Sequence, residues 1–165
     1  MVIANYVGSG AVNKFGQGAP LGETFVEATN KYGADLDAGS VVAFRYDSDG
    51  NLEAFKDANG LASVPRTVGV AVGSKANSDG SFSDKVLEDE IGIFQISGFC
   101  KKVITDSTTD SNKNLDVIKD THKADVSSTR GTATFGFAVG EETAVDDDFV
   151  VAAQLYGLPV ITAAA

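Results

Sequence analysis

Tryptophan is absent from this 165-residue chain; cysteine, histidine and methionine occur once each, and there are three prolines. A single cysteine excludes an internal disulfide. Cys100 lies inside the apolar run Ile96 to Val103, the setting of a small core residue; a nucleophilic thiol needs a base or a positive field beside it. One Cys and one His cannot build a closed zinc site. His122 is the one imidazole a catalytic triad could use, and it sits in the charged stretch Lys119 to Asp125. No G-x-S-x-G elbow is present. Positive charge is also scarce: 13 Lys and Arg against 23 Asp and Glu leave a formal charge of −10. Nucleic-acid binding needs a dense cationic footprint, so that class has the wrong sign, and anionic membrane surfaces are disfavoured for the same reason. No apolar stretch reaches the roughly 18 residues of a spanning helix. The amino end, Met1-Val2-Ile3-Ala4-Asn5, lacks the basic and apolar regions of a secretory signal.

What the chain does have is a strand phrase written twice. Gly69-Val70-Ala71-Val72-Gly73 returns as Gly136-Phe137-Ala138-Val139-Gly140. Alternation of large apolar and small residues has period two, the pattern of a half-buried strand. Two copies are consistent with two related β units and are too few for a solenoid.

Around these phrases the grammar is that of short strands and turns. Val42, Phe44 and Tyr46 alternate with Ala43 and Arg45. Asp47-Ser48-Asp49-Gly50-Asn51 supplies a turn, and Leu52 to Phe55 resumes the strand, which predicts a hairpin. Further strands are expected over Thr67 to Val72, Leu115 to Ile118, Thr134 to Val139 and Phe149 to Tyr156. Ile91 to Thr105 is the longest apolar run and carries apolar groups on both faces; Gly92 and Gly98 predict a bulge or bend within it. Short helices could cover only Val26 to Lys31 or Asp120 to Val126. The sum predicts an all-β protein, a small β-sandwich or barrel of short strands over residues 36–165. Residues 1–35 differ. Glycines 8, 10, 16, 18 and 22 and Pro20 oppose regular structure, yet Tyr6, Phe15, Phe25 and Tyr32 are more aromatic than a disordered linker. An extended Gly-rich N-terminal arm that drapes over another surface accounts for both facts; a loop packed on its own domain is the competing reading.

Other chemistry-bearing patterns fall short. Asp47-x-Asp49-x-Asn51 alternates oxygen ligands, but the positions where an EF-hand loop wants Gly and Glu hold Leu52 and Ala58. Asp146-Asp147-Asp148 could meet a cation on a surface, and a solvated turn explains it as well. Gly16 to Gly22 is one residue too long for a dinucleotide loop. Glu88, Glu90, Glu141 and Glu142 could suggest acid-pair hydrolysis, but adjacent acids on a strand face opposite ways, and a sugar site without Trp lacks its usual platform. No catalytic residue, metal site or cofactor is expected.

The order Ala38-Gly39-Ser40-Val41-Val42, Val68-Gly69-Val70-Ala71-Val72, Ile93 to Val103, Phe135 to Gly140 and Phe149-Val150-Val151 resembles the small capsid decoration (cement) proteins of tailed bacteriophages, over roughly residues 36–157. The resemblance implies a non-enzymatic β-rich virion protein, made in the host cytoplasm. It would commonly be a homotrimer, seated on the outer surface of an icosahedral shell of HK97-fold major capsid protein, which it stabilises by bridging neighbouring capsomers. The resemblance does not extend to the N-terminal arm; from the arm's own composition, Tyr6, Phe15, Phe25 and Tyr32 are the expected contacts to shell or sister subunit. A carbohydrate-binding or adhesin-type β module is the alternative, and an acid-pair hydrolase a third.

Overall fold

The structure is a computed structural model, and it describes residues 22–56, 66–75, 83–107, 113–118, 121–140, 143–145 and 148–160. Every regular element among them is a strand: β1 (Thr24–Lys31), β2 (Leu36–Asp37), β3 (Val41–Tyr46), β4 (Leu52–Phe55), β5 (Val68–Ser74), β6 (Lys85–Val86), β7 (Ile91–Thr105), β8 (Asn114–Val117), β9 (Ala124–Ser127), β10 (Thr134–Ala138), β11 (Thr143–Val145) and β12 (Asp148–Tyr156). The expected all-β class holds, and of the two architectures it is the barrel.

Two closed rings share one strand. In the first, β1 pairs with β4, β4 with β3, β3 with β5, β5 with β7, and β7 returns to β1. In the second, the far half of β7 pairs with β9, β9 with β8, β8 with β10, β10 with β12, and β12 returns to β7. Closure removes the free edges through which β proteins aggregate. Outside the rings, β11 borders β12, and β2 and β6 form a two-stranded clip.

The second ring repeats the first, pair by pair. Each has one parallel contact, β1 with β4 and β7 with β9, and its other contacts are antiparallel. The register agrees as well. Ala71 faces Phe94, which faces Val26; Ala138 faces Ala153, which faces Cys100. Val42 faces Gly69 as Leu115 faces Gly136. Phe44 faces Ala54, which faces Asn30; Val117 faces Ala124, which faces Thr105. The doubled phrase of the sequence therefore lies on matching strands, β5 and β10. Its first glycine has a physical reason in each copy. A Cβ on Gly136 would stand 2.6 Å from the carbonyl oxygen of Gln154, and one on Gly69 would stand 2.6 Å from the Phe44 ring.

The double role of β7 explains its unusual composition. Its first half closes one ring and its second half opens the next, so apolar residues are needed on both faces. Gly98 marks the changeover at φ +87°, where a side chain would strike Glu23. Two bulges flank it. Ile96 is extra against Thr24 and Phe25 of β1, and Lys101 and Lys102 together oppose the single Ala152 of β12. Bulges bend the strand and re-aim side chains.

Each ring holds its own core. Val42, Phe44, Ala54, Ala71 and Phe94 fill the first, with Phe44 and Phe94 edge to face at 5.5 Å. Leu36 of β2 and Val86 of β6 join this core from the clip. Cys100, Val103, Leu115, Val117, Ala138, Ala153 and Leu155 fill the second, which also takes Val41, Val68 and Val70 from the outer wall of the first ring. Matching buried polar residues finish the strands. Asn30 donates from Nδ2 to the carbonyls of Ala34 and Val86 at 2.9 and 3.0 Å, and Thr105 donates from Oγ1 to the carbonyl of Ser107 at 2.9 Å.

Neither short helix forms. Val26 to Lys31 lies in β1, gripped by β4 and β7; of the second stretch, Asp120 lies outside the described residues, Thr121 to Lys123 are irregular, and Ala124 to Val126 lie in β9. Segments this short cannot meet the cost of helix nucleation, so cross-strand pairing decides. The arm expected over residues 1–35 divides. Residues 1–21 lie outside the described residues, while Thr24–Lys31 is a barrel strand.

Candidate attachment surfaces

The residues with chemical interest in the sequence do structural work at the described positions. Both carboxylate oxygens of Asp47 are taken by its own turn: Oδ1 accepts from the amides of Asp49 and Asn51, each at 2.8 Å, and Oδ2 accepts from the Asn51 side chain at 2.9 Å. The Asn51 bonds hold the Asp47 carboxyl below its usual range. The His122 and Tyr32 rings stand nearly perpendicular with centroids 6.2 Å apart, while the His122 carbonyl accepts from the Val41 amide. Cys100 is buried; burial pushes its thiol pKa up, and its Sγ donates to the carbonyl of Lys102 at 3.3 Å. A raised thiol is a core thiol and a poor nucleophile. Glu88, Asp89 and Glu90 form a tight turn, while Glu141, Glu142, Asp146 and Asp147 lie outside the described residues.

Of the four aromatics singled out as contacts, Tyr6 and Phe15 lie outside the described residues. Tyr32 follows β1 and packs against the first core, with the Lys56 ammonium 5.4 Å from its ring. Phe25 alone stands out from the surface, 47% exposed. The structure brings it together with Val72 and Phe99, two residues the sequence reading passed over, in a groove of about 390 Å³ at the seam between the rings. Gly39 and Cys100 line the same groove, and Glu23, Lys101 and Lys102 supply its charges. The signal that could have found Phe99 is the repeat: Phe25 faces Gln95 as Phe99 faces Gln154.

A second surface follows from that register. Along the outer wall of the first ring, Val70 lies beside Gln95 and Val41 beside Val70. Val41 and Val70 are fully buried, because the second ring packs on them. The matching residues of the second ring are Phe137, beside Gln154, and Asn114, beside Phe137. Among the described residues no third ring covers them, and both are half-buried. Phe137 leans on Tyr156 at 5.9 Å, the Arg130 guanidinium lies 4.5 Å over the Tyr156 ring, and Val139, just past the end of β10, is exposed. The wall that binds protein in the first ring thus faces outward in the second.

No family model matches the chain, and no curated protein matches it. Among solved structures, the N base of head fiber gp8.5 in bacteriophage phi29 is similar, with a TM-score of 0.47 and 16% identity, covering 84% of this chain and 98% of that one.

Proposed function

We propose that this chain is a structural virion protein that attaches to the outer surface of an icosahedral phage capsid, self-associates as a homotrimer and bridges neighbouring capsomers of HK97-fold subunits without catalysing a reaction. The observation that carries the reading is the open outer wall of the second ring. Its counterpart in the first ring is a protein-binding surface by construction. The Phe137, Tyr156 and Arg130 cluster has the aromatic and arginine chemistry that dominates protein contacts. Closed rings packed on one another give a rigid body, which loses little entropy on docking. The net charge of −10 suits a protein that must stay dispersed before assembly and away from packaged nucleic acid. The strand order that resembles the decoration proteins supports the same role.

Sedimentation of purified phage particles with added protein tests it. The chain is expected to pellet with particles in a saturable manner, and Phe137→Asp is expected to weaken that attachment about tenfold or more, the usual weight of a central aromatic contact. Protein left wholly in the supernatant of every shell tried, or attachment indifferent to Phe137→Asp with Tyr156→Asp, would refute the reading.

A further inference from the structure

We propose that the seam groove receives the Leu87–Ile91 turn of a second copy of this chain, in a head-to-tail contact. The turn is built to be presented. Glu90 donates its amide to the carbonyl of Leu87 at 3.1 Å, Asp89 donates to the carbonyl of Asn30 at 2.9 Å, and Glu88 donates to Oδ1 of Asp35 at 3.0 Å. Asp89 stands at φ +66°, the one described non-glycine residue with a positive φ. Such strain persists only where the surroundings over-determine it. The Lys31 ammonium holds the Asp89 carboxylate at 2.7 Å. From this fixed turn Leu87 projects 51% exposed and Ile91 45% exposed, with Glu88 and Glu90 between them. Among the described residues neither glutamate is in an ion pair.

The groove offers the complement. Phe25, Val72 and Phe99 give it apolar walls open to water, and its volume of about 390 Å³ accommodates a leucine side chain. Lys101 and Lys102 are the only adjacent pair of cations in the chain. Both stand at the bulge opposite Ala152, and neither is in an ion pair among the described residues. Glu23 also lines the groove, so two cations face it against one carboxylate. An apolar side chain flanked by acids fits a groove flanked by cations.

One chain cannot satisfy its own groove. β1 and β7 run antiparallel, with the groove at the Phe25–Gln95 end and the turn beyond the Thr29–Ile91 end. At about 3.3 Å per residue the four residues between those ends separate Phe25 from Ile91 by about 13 Å, beyond the reach of a leucine or isoleucine side chain. The contact is therefore heterologous, a geometry that closes into a ring when the rotation allows. The inference gives the self-association in the functional reading a contact and rests on that part of it alone; shell attachment stands or falls separately.

Light scattering of the full chain is expected to give a multiple of the 17.0 kDa chain mass. Leu87→Asp is expected to return a single-chain mass, and so is Lys101→Glu with Lys102→Glu. Adding Glu88→Lys and Glu90→Lys to that double variant is expected to restore the assembly. Because four of the five positions are exposed and Lys102 is only half-buried, circular dichroism should report the same fold, and the charge exchange decides if Leu87→Asp fails to fold. A wild-type chain of single mass at every concentration, an assembly indifferent to Leu87→Asp, or an exchange that fails to restore it would overturn the proposal. Variants that dissociate yet still pellet with particles would separate this contact from shell attachment.

Discussion

The two rings follow one pairing scheme with different fillings. Where the first places Phe94 against Ala71, the second places Ala153 against Ala138; where the first has Phe44, the second has Val117. The first ring thus carries its own aromatic pair and is completed by Leu36 and Val86 of the clip. The second has smaller residues at those positions and is filled by Phe135 of β10 and by Val41, Val68 and Val70 from its neighbour's wall. Backbone pairing is preserved between the halves while side-chain volume is redistributed. Packing density is what a core must satisfy, and different sets of side chains can reach it. A consequence is asymmetry: the first core is filled from within its own half, and the second leans on the first.

The sharpest way to break this comparison is Phe94→Ala, which gives the first ring the residue the second already has. Removing a fully buried phenylalanine is expected to cost about 3–5 kcal/mol, a large part of the 5–15 kcal/mol typical of a domain. Urea unfolding measures the loss. Hydrogen exchange should show the second ring loosening together with the first, because Val41 and Val70 are shared; protection unchanged from Leu115 to Leu155 would mean the second core stands alone.

A smaller effect separates the two copies of the phrase. Gly136→Ala presses a methyl group against the Gln154 carbonyl, which is main chain and fixed by the sheet, whereas Gly69→Ala presses mainly against the Phe44 ring, which can tilt. Both overpack, at about 1–3 kcal/mol, and Gly136→Ala is expected to be the worse. Thermal melts of the two variants would rank them; the reverse order would show that the rings accommodate strain differently from their backbones.

The smallest effect is electrostatic and opposite in sign between the halves. In the second ring, burial raises the Asp116 carboxyl; a hydrogen bond from Thr134 offsets this in part, and nearby Asp125 adds to it. A carboxyl raised by folding costs stability when ionised, and the cost fades as the pH falls through its raised value. In the first ring, Asp47 is lowered, so its contribution is present above its ordinary value of 3.8 and lost as the pH falls through the lowered one. Asp116→Asn is expected to raise Tm near pH 7 by less than about 2 °C, the scale of a partly solvated charge, and to do nothing in acid. Asp47→Ala should lower Tm near pH 7, with the effect shrinking in acid. Melts across pH 3 to 7 check both, and a pH-independent effect of either would remove charge as the cause.

Strands with clear period two and a turn at each end were legible: β3, β4, β5, β8, β10 and β12 fall where Val41–Tyr46, Leu52–Phe55, Val68–Ser74, Asn114–Val117, Thr134–Ala138 and Asp148–Tyr156 alternate. β1, β2, β6, β9 and β11 were not. β2 and β6 have two residues each and exist only through each other. β1 mixes Thr, Glu and Asn among its apolar residues, because half of it faces water and its ends carry capping side chains. The seam groove was half legible. Phe25 stood out as an aromatic in a glycine-rich stretch, but Phe99 and Val72 read as ordinary strand residues until pairing placed them beside it.

By itself the sequence determined the class: alternating apolar residues and frequent glycines leave room for strands and little else, and the doubled phrase already held the duplication. Tertiary structure alone decided that the halves share β7, that one wall is buried and its twin half-buried, and that Lys101 and Lys102 line one groove with Phe25. Period two records which residues lie on one face of a strand but not which strand lies next to it. Ring closure, and with it every surface argued for above, depends on partners tens of residues apart.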